Sequence, residues 1–112
     1  MKKYILLLTI FLLFLTACSS GGITKDELLN SLVENGIEGS ESQKMYQMVN
    51  AIDGFGYQGD GFVIEIYEFD SKNALDNCAF CTYKNGNFGM MIHENKTTSS
   101  NKSIIIKTFE EL

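Results

Sequence analysis

The chain has 112 residues, 45% of them hydrophobic, and a formal charge of −5 from nine basic residues against 14 acids. That length makes one small domain. An acidic chain without arginine offers no electrostatic footprint for nucleic acid, and its apolar content excludes a disordered tail.

Met1-Lys2-Lys3 is a short basic segment, and Tyr4 to Leu15 is an apolar run broken only by Thr9. As a helix that run would be about 18 Å long, well short of the roughly 30 Å hydrocarbon core of a bilayer. It therefore reads as a secretory signal and not as a mature transmembrane helix. Two of the nine lysines and none of the acids fall in residues 1–17, so the remaining 95 residues carry seven lysines against 14 acids, or −7.

Leu15-Thr16-Ala17-Cys18 follows at once. These four residues resemble the lipobox of bacterial lipoproteins: an aliphatic residue, a small residue, Gly or Ala, then Cys. The resemblance implies that Leu15, Thr16 and Ala17 are read by the lipoprotein signal peptidase. It also implies that the Cys18 thiol carries a diacylglyceryl group and becomes the mature N-terminus. At least two acyl chains would then hold the protein, which suffices for stable anchoring where one chain does not. Residues 1–17 are expected to be removed, and residues 18–23 to act as a tether rich in Ser and Gly. Residues 24–112 should form the domain. The expected location is extracytoplasmic and membrane-attached. With two membranes, Ser19 after the lipidated cysteine implies the outer one; with one membrane, its outer face.

Thr24 with Glu27 forms a capping box, Leu28, Leu29, Leu32 and Val33 make an apolar stripe, and Asn35-Gly36 stops it. A helix over 25–35 follows. Ser40 with Gln43 is a second capping box, and Met45, Met48, Val49 and Ile52 repeat at helical spacing, which predicts a helix over 41–50 with an extended reading open for its end. From Ile52 to Tyr57 the pattern alternates weakly. Gln58-Gly59-Asp60-Gly61 is a turn cluster. Phe62 to Phe69 is the best strand, apolar on both faces and therefore central. Ser71 caps a short helix carrying Ala74 and Leu75. Phe80–Tyr83 and Phe88–His93 flank Asn85-Gly86, a hairpin signal when both turn residues take positive φ. Glu94 to Lys102 reads as a polar loop. Ser103 to Leu112 reads as a last helix with Ile105, Phe109 and Leu112 on one face, or as a strand from Ile104. The expected fold is α+β: an antiparallel sheet of about four strands with helices packed on one face.

Ala51-Ile52-Asp53-Gly54 and the strand Val63 to Asp70 loosely resemble segments of small bacterial lipoproteins. The resemblance brings no activity with it.

Cys78-Ala79-Phe80-Cys81 is a paired-cysteine motif. In an oxidising compartment it implies a local disulfide or two inert thiols. A redox pair would want a cysteine at a helix N-terminus. A zinc site would need a second paired motif, with His93 supplying only a third ligand. Gly54, Gly56 and Gly59 match a dinucleotide fingerprint in spacing, but a strand follows where a helix is required, so they read as turn and bulge glycines. Asp53, Asp60 and Asp70 could gather as oxygen ligands for calcium, although Asp before Gly is ordinary turn chemistry. Glu65 and Glu68 fall on opposite faces of a strand. His93 reads as a strand-end surface residue. Met45, Met48, Met90 and Met91 read as core, with a pliable binding surface as the alternative.

No catalytic residue, metal site or cofactor is assigned on these residues. The expectation is a non-enzymatic, lipid-anchored envelope protein that binds another envelope or extracellular protein, with immunity or superinfection exclusion as a specific form. The competing readings are a thiol-redox accessory using Cys78 and Cys81, and a small-ligand or ion carrier using an uncovered sheet face.

Overall fold

The computed structural model describes residues Ile23–Leu112. The signal segment, Leu15 to Cys18 and the tether up to residue 22 lie outside the described residues. Helix α1 spans Lys25–Glu34, and Thr24 caps it by accepting the Glu27 N–H. Strands β1 (Ser40–Gln43), β2 (Asp53–Gly59) and β3 (Phe62–Glu68) follow, with a 3₁₀ turn at Tyr46–Val49. Helix α2 (Lys72–Asp76), β4 (Tyr83–Asn85), β5 (Phe88–Ile92), a 3₁₀ turn at Glu94–Lys96 and α3 (Ser99–Glu110) complete the domain.

The α+β expectation holds. The sheet has five strands, not about four, in the order β1-β2-β3-β5-β4, with every neighbouring pair antiparallel. β3 is central, as its two apolar faces require.

Alternation along the strands assigns each side chain to a face. Phe55, Tyr57, Phe62, Ile64, Ile66, Phe88, Met90 and Ile92 point to the first face, where Leu28 and Leu32 of α1 and Ile105 and Phe109 of α3 close over them. Asparagine side chains fasten both ends of α3. Asn101 Nδ2 donates to the carbonyls of Asp60 and Gly61 in the β2–β3 turn, at 3.3 and 3.0 Å. Asn85 Nδ2 donates to the carbonyls of Phe109 and Leu112, at 2.8 and 3.1 Å. A twelve-residue helix is about 18 Å long, close to the length of the strands it crosses.

The second face is covered at one end only. Leu75 of α2 packs there with Tyr67, Phe69, Ala51, Cys78 and Cys81. The two long helices thus share one face, as expected, while the five-residue α2 lies against the other.

Three expectations are corrected. The helix over 41–50 is instead β1 followed by the 3₁₀ turn. Ser40–Gln43 is exposed and pairs with Phe55–Gln58, so the open edge of β2 gains a partner that the local capping signature could not reveal. The loop over Glu94–Lys102 contains the first turn of α3, which starts at Ser99 with Thr98 accepting the Asn101 N–H. Its residues are polar because that turn faces solvent. In the second hairpin the turn residues are Gly86 and Asn87. Only Gly86 takes a positive φ, +59°, and Asn85 remains in β4 opposite Phe88.

Candidate functional site

Where the covered end of the second face gives way to the open half, β3 and β5 present a connected polar group. Glu65 and Tyr67 lie two apart on β3 and so share this face. Antiparallel pairing sets Glu65 opposite Met91 and brings His93, two residues further on, to the same side. The Tyr67 hydroxyl donates to Glu65 Oε1 at 2.5 Å. His93 Nε2 lies 2.5 Å from Glu65 Oε2. An ionised carboxylate only accepts, so Nε2 carries the proton in this contact. The Glu65 side chain is 13% exposed and that of His93 34%, so one is held inside and the other faces solvent.

β1 and β2 complete the surface. Gly56 lies opposite Glu65, and Ser42 lies opposite Gly56. A Cβ at Gly56 would stand 2.6 Å from Ser42 Oγ and 2.7 Å from Lys44 Cε, so the glycine lets the lysine stem lie across the sheet. Burial pushes the Glu65 carboxyl up, but the hydrogen bonds from Tyr67 and His93, with the positive charge of Lys44, outweigh it and hold the carboxyl below its ordinary value. Burial, then the hydrogen bond to Glu65, raises the Tyr67 hydroxyl. The result is a fixed carboxylate with both oxygens engaged, an imidazole and an ammonium beside it, and a hydroxyl locked as a donor.

The sequence-predicted residues fall elsewhere or in part here. Cys78 and Cys81 form a disulfide at the end of α2. They are 6% and 4% exposed, and Cys81 Sγ lies where a Cβ at Gly89 would stand. Gly54, Gly56 and Gly59 all sit within β2, not between a strand and a helix, so the dinucleotide spacing has no matching geometry. Asp53 and Asp70 flank one end of the β2–β3 pair and Asp60 lies in the turn at the other, so the three acids do not converge. Among the described residues, no group of three or more His, Cys, Asp or Glu could hold a metal ion. Glu65 and Glu68 are on opposite faces, as read from their spacing. Met90 is buried and Met91 half-buried, while Met45 and Met48 are exposed and so are not core.

Sequence reading missed Lys44 and Tyr67 and left Glu65 and His93 apart. The i, i+2 pair Glu65/Tyr67 was available in the strand pattern. The approach of His93 required the β3–β5 register. A groove of about 450 Å³ between α1 and α3, lined by Ser31, Asn35, Ile104 and Lys107 among others, contains none of the predicted site residues. Among the described residues no helix is long and apolar enough to cross a membrane. Comparison with protein-family models, curated proteins and solved structures found no match to this chain.

Proposed function

We propose that the chain is a lipid-anchored, extracytoplasmic protein that acts without catalysis, by binding another envelope or extracellular protein. The contact surface is the open half of the second sheet face. One observation carries this reading: Tyr67, Glu65 and His93 are linked in place on a half-uncovered sheet, beside Lys44 and the exposed Ser42 and Gln58. Fixed polar groups on a rigid sheet lose little freedom on binding and so favour recognition. Anchoring rests on the Leu15 to Cys18 motif. Immunity or superinfection exclusion is a form of this function in which the partner is a toxin or a receptor.

Thiol exchange by Cys78 and Cys81 has less behind it, because both residues are buried and exchange needs access to a sulfur. Carriage of a small ligand has less behind it as well, because ligand sites are concave and this surface is an open sheet.

Site-specific photocrosslinking in the native host tests the binding role. Crosslinkers at Ser42 and Gln58 should each give one discrete adduct with the same protein, and a crosslinker at the exposed Lys107 on α3 should not. No adduct from the open face, or the same adduct from Lys107, would overturn it. Incorporation of labelled palmitate, abolished by Cys18→Ala, tests the anchor.

A further inference from the structure

Met45, Met48 and Ile52 are 72%, 78% and 51% exposed. Three exposed large apolar side chains within eight residues are denser along the chain than the single scatter normal for a surface.

Sheet register fixes which end of the domain they occupy. Asp53, Glu68, Phe88 and Asn85 are successive partners across β2, β3, β5 and β4, and so form one row at one end of the sheet. Ile52 continues beyond that row, its N–H donating to the Glu68 carbonyl. Met45 follows Lys44, whose N–H donates to the Gly54 carbonyl. Tyr46, the first residue of the 3₁₀ turn that carries Met48, lies against Gly54. The apolar cluster therefore sits at the end marked by that row.

The chain enters the domain at the same end. The Ile23 nitrogen is 4.0 Å from the position of a Cβ at Gly86, in the β4–β5 turn. β5 and β2 are two strand spacings apart, about 10 Å. Five residue steps separate Cys18 from Ile23 and cannot span more than about 18 Å. A lipid on Cys18 would keep this end within that distance of the bilayer.

We infer that Met45, Met48 and Ile52 form a membrane-contacting patch that seats the anchored domain on the lipid surface, with the β2–β3 turn and the open half of the second face directed away from it. The inference rests on the anchoring proposed above. A bilayer is the occupant because the tether leaves so little separation: a protein covering the patch would have to lie between the domain and the headgroups. Methionine suits the task, since its unbranched, polarizable side chain adapts to an irregular apolar environment. The acids around the patch, Asp53, Glu68 and Asp70, outnumber the one adjacent lysine, Lys44, so the contact should favour zwitterionic over anionic lipid.

The test uses the lipidated, full mature protein with ¹³C-labelled methionine methyls, in phosphatidylcholine nanodiscs doped with a gadolinium-chelating lipid. The Met45 and Met48 methyls should relax several-fold faster than those of Met90 and Met91, and replacing half of the lipid with phosphatidylglycerol should reduce that difference. Equal relaxation of all four methyls, on protein shown by mass spectrometry to carry lipid at Cys18, would overturn the inference and leave the anchor standing. Met45 and Met48 shielded from a soluble gadolinium chelate but untouched by the lipid-borne one would place a protein on the patch, and would also overturn it. Absence of lipid on Cys18 would remove the anchor and the inference together.

Discussion

The two faces of the sheet are made from the same strands and meet opposite fates. On the first, every inward residue from Phe55 to Met90 is covered by α1 and α3, and Leu28, Leu32, Ile105 and Phe109 are completely buried. On the second, a small cluster around Tyr67, Phe69 and Leu75 covers one end, and beyond it polar side chains mix with the half-buried Val63 and Met91. Packing explains the apolar centre of the first face, and the polar residues on that side, Glu41, Gln43 and Glu68, lie at its margin. The second face keeps residues that packing does not require, and it is there that His93, paired with the largely buried Glu65, meets solvent.

The sharpest way to break this contrast is to open the closed face. Phe109→Ala, at a fully buried position, should cost about 3–5 kcal/mol in urea unfolding, against a total of about 5–15 kcal/mol for a typical domain. A loss below about 1 kcal/mol would mean that α3 is not seated as described. Next in size is a matched pair of glycines. A Cβ at Gly89 would meet Cys81 Sγ at 2.5 Å and Leu75 Cδ1 at 2.9 Å, inside the covered end of the second face. Gly89→Ala should therefore cost up to about 3 kcal/mol through overpacking. Gly56→Ala has as its nearest neighbours the flexible side chains of Ser42 and Lys44, which can shift, and should cost less than about 1 kcal/mol. Equal effects would erase the distinction between the covered and open ends.

Removing the Cys78–Cys81 bridge by Cys78→Ser with Cys81→Ser should cost about 2 kcal/mol, because so short a loop constrains the unfolded chain only modestly. Crosslinking from Ser42 and Gln58 should survive it, whereas loss of the adduct with the domain still folded would favour the thiol reading.

The smallest effect is in pH dependence. The Glu65 carboxyl titrates below its ordinary value of 4.5 when folded, so the unfolded state takes up its proton first. The stability that Glu65 contributes is full above about pH 4.5 and is lost as pH falls through the lower, folded value. Glu65→Gln should flatten that part of the acid unfolding curve. An unchanged curve would mean that the carboxylate gains nothing from Tyr67, His93 and Lys44.

Much of the domain is legible in the sequence. Thr24 and Glu27 announced α1, the run from Phe62 announced the central strand, and the alternation there already put Glu65 and Glu68 on different faces. What failed was non-local. Met45, Met48 and Ile52 have helical spacing, but β2 needed an edge partner, and Ser40–Gln43 became one. Asn85 looked like a turn residue and instead holds the C-terminal end of α3. Glu65 and His93 are 28 residues apart and meet only through a register that no local pattern encodes. The candidate site was thus readable as single residues and not as a group.

Met90 and Met91 make the most direct test of the two-faced sheet, because adjacent residues of one strand report on opposite faces. In the isolated domain, a soluble gadolinium chelate should broaden the Met91 methyl strongly and leave that of Met90, which has no exposed surface, nearly untouched. Equal broadening of both would show that the first face is not closed. Equal protection would show that the second is not open.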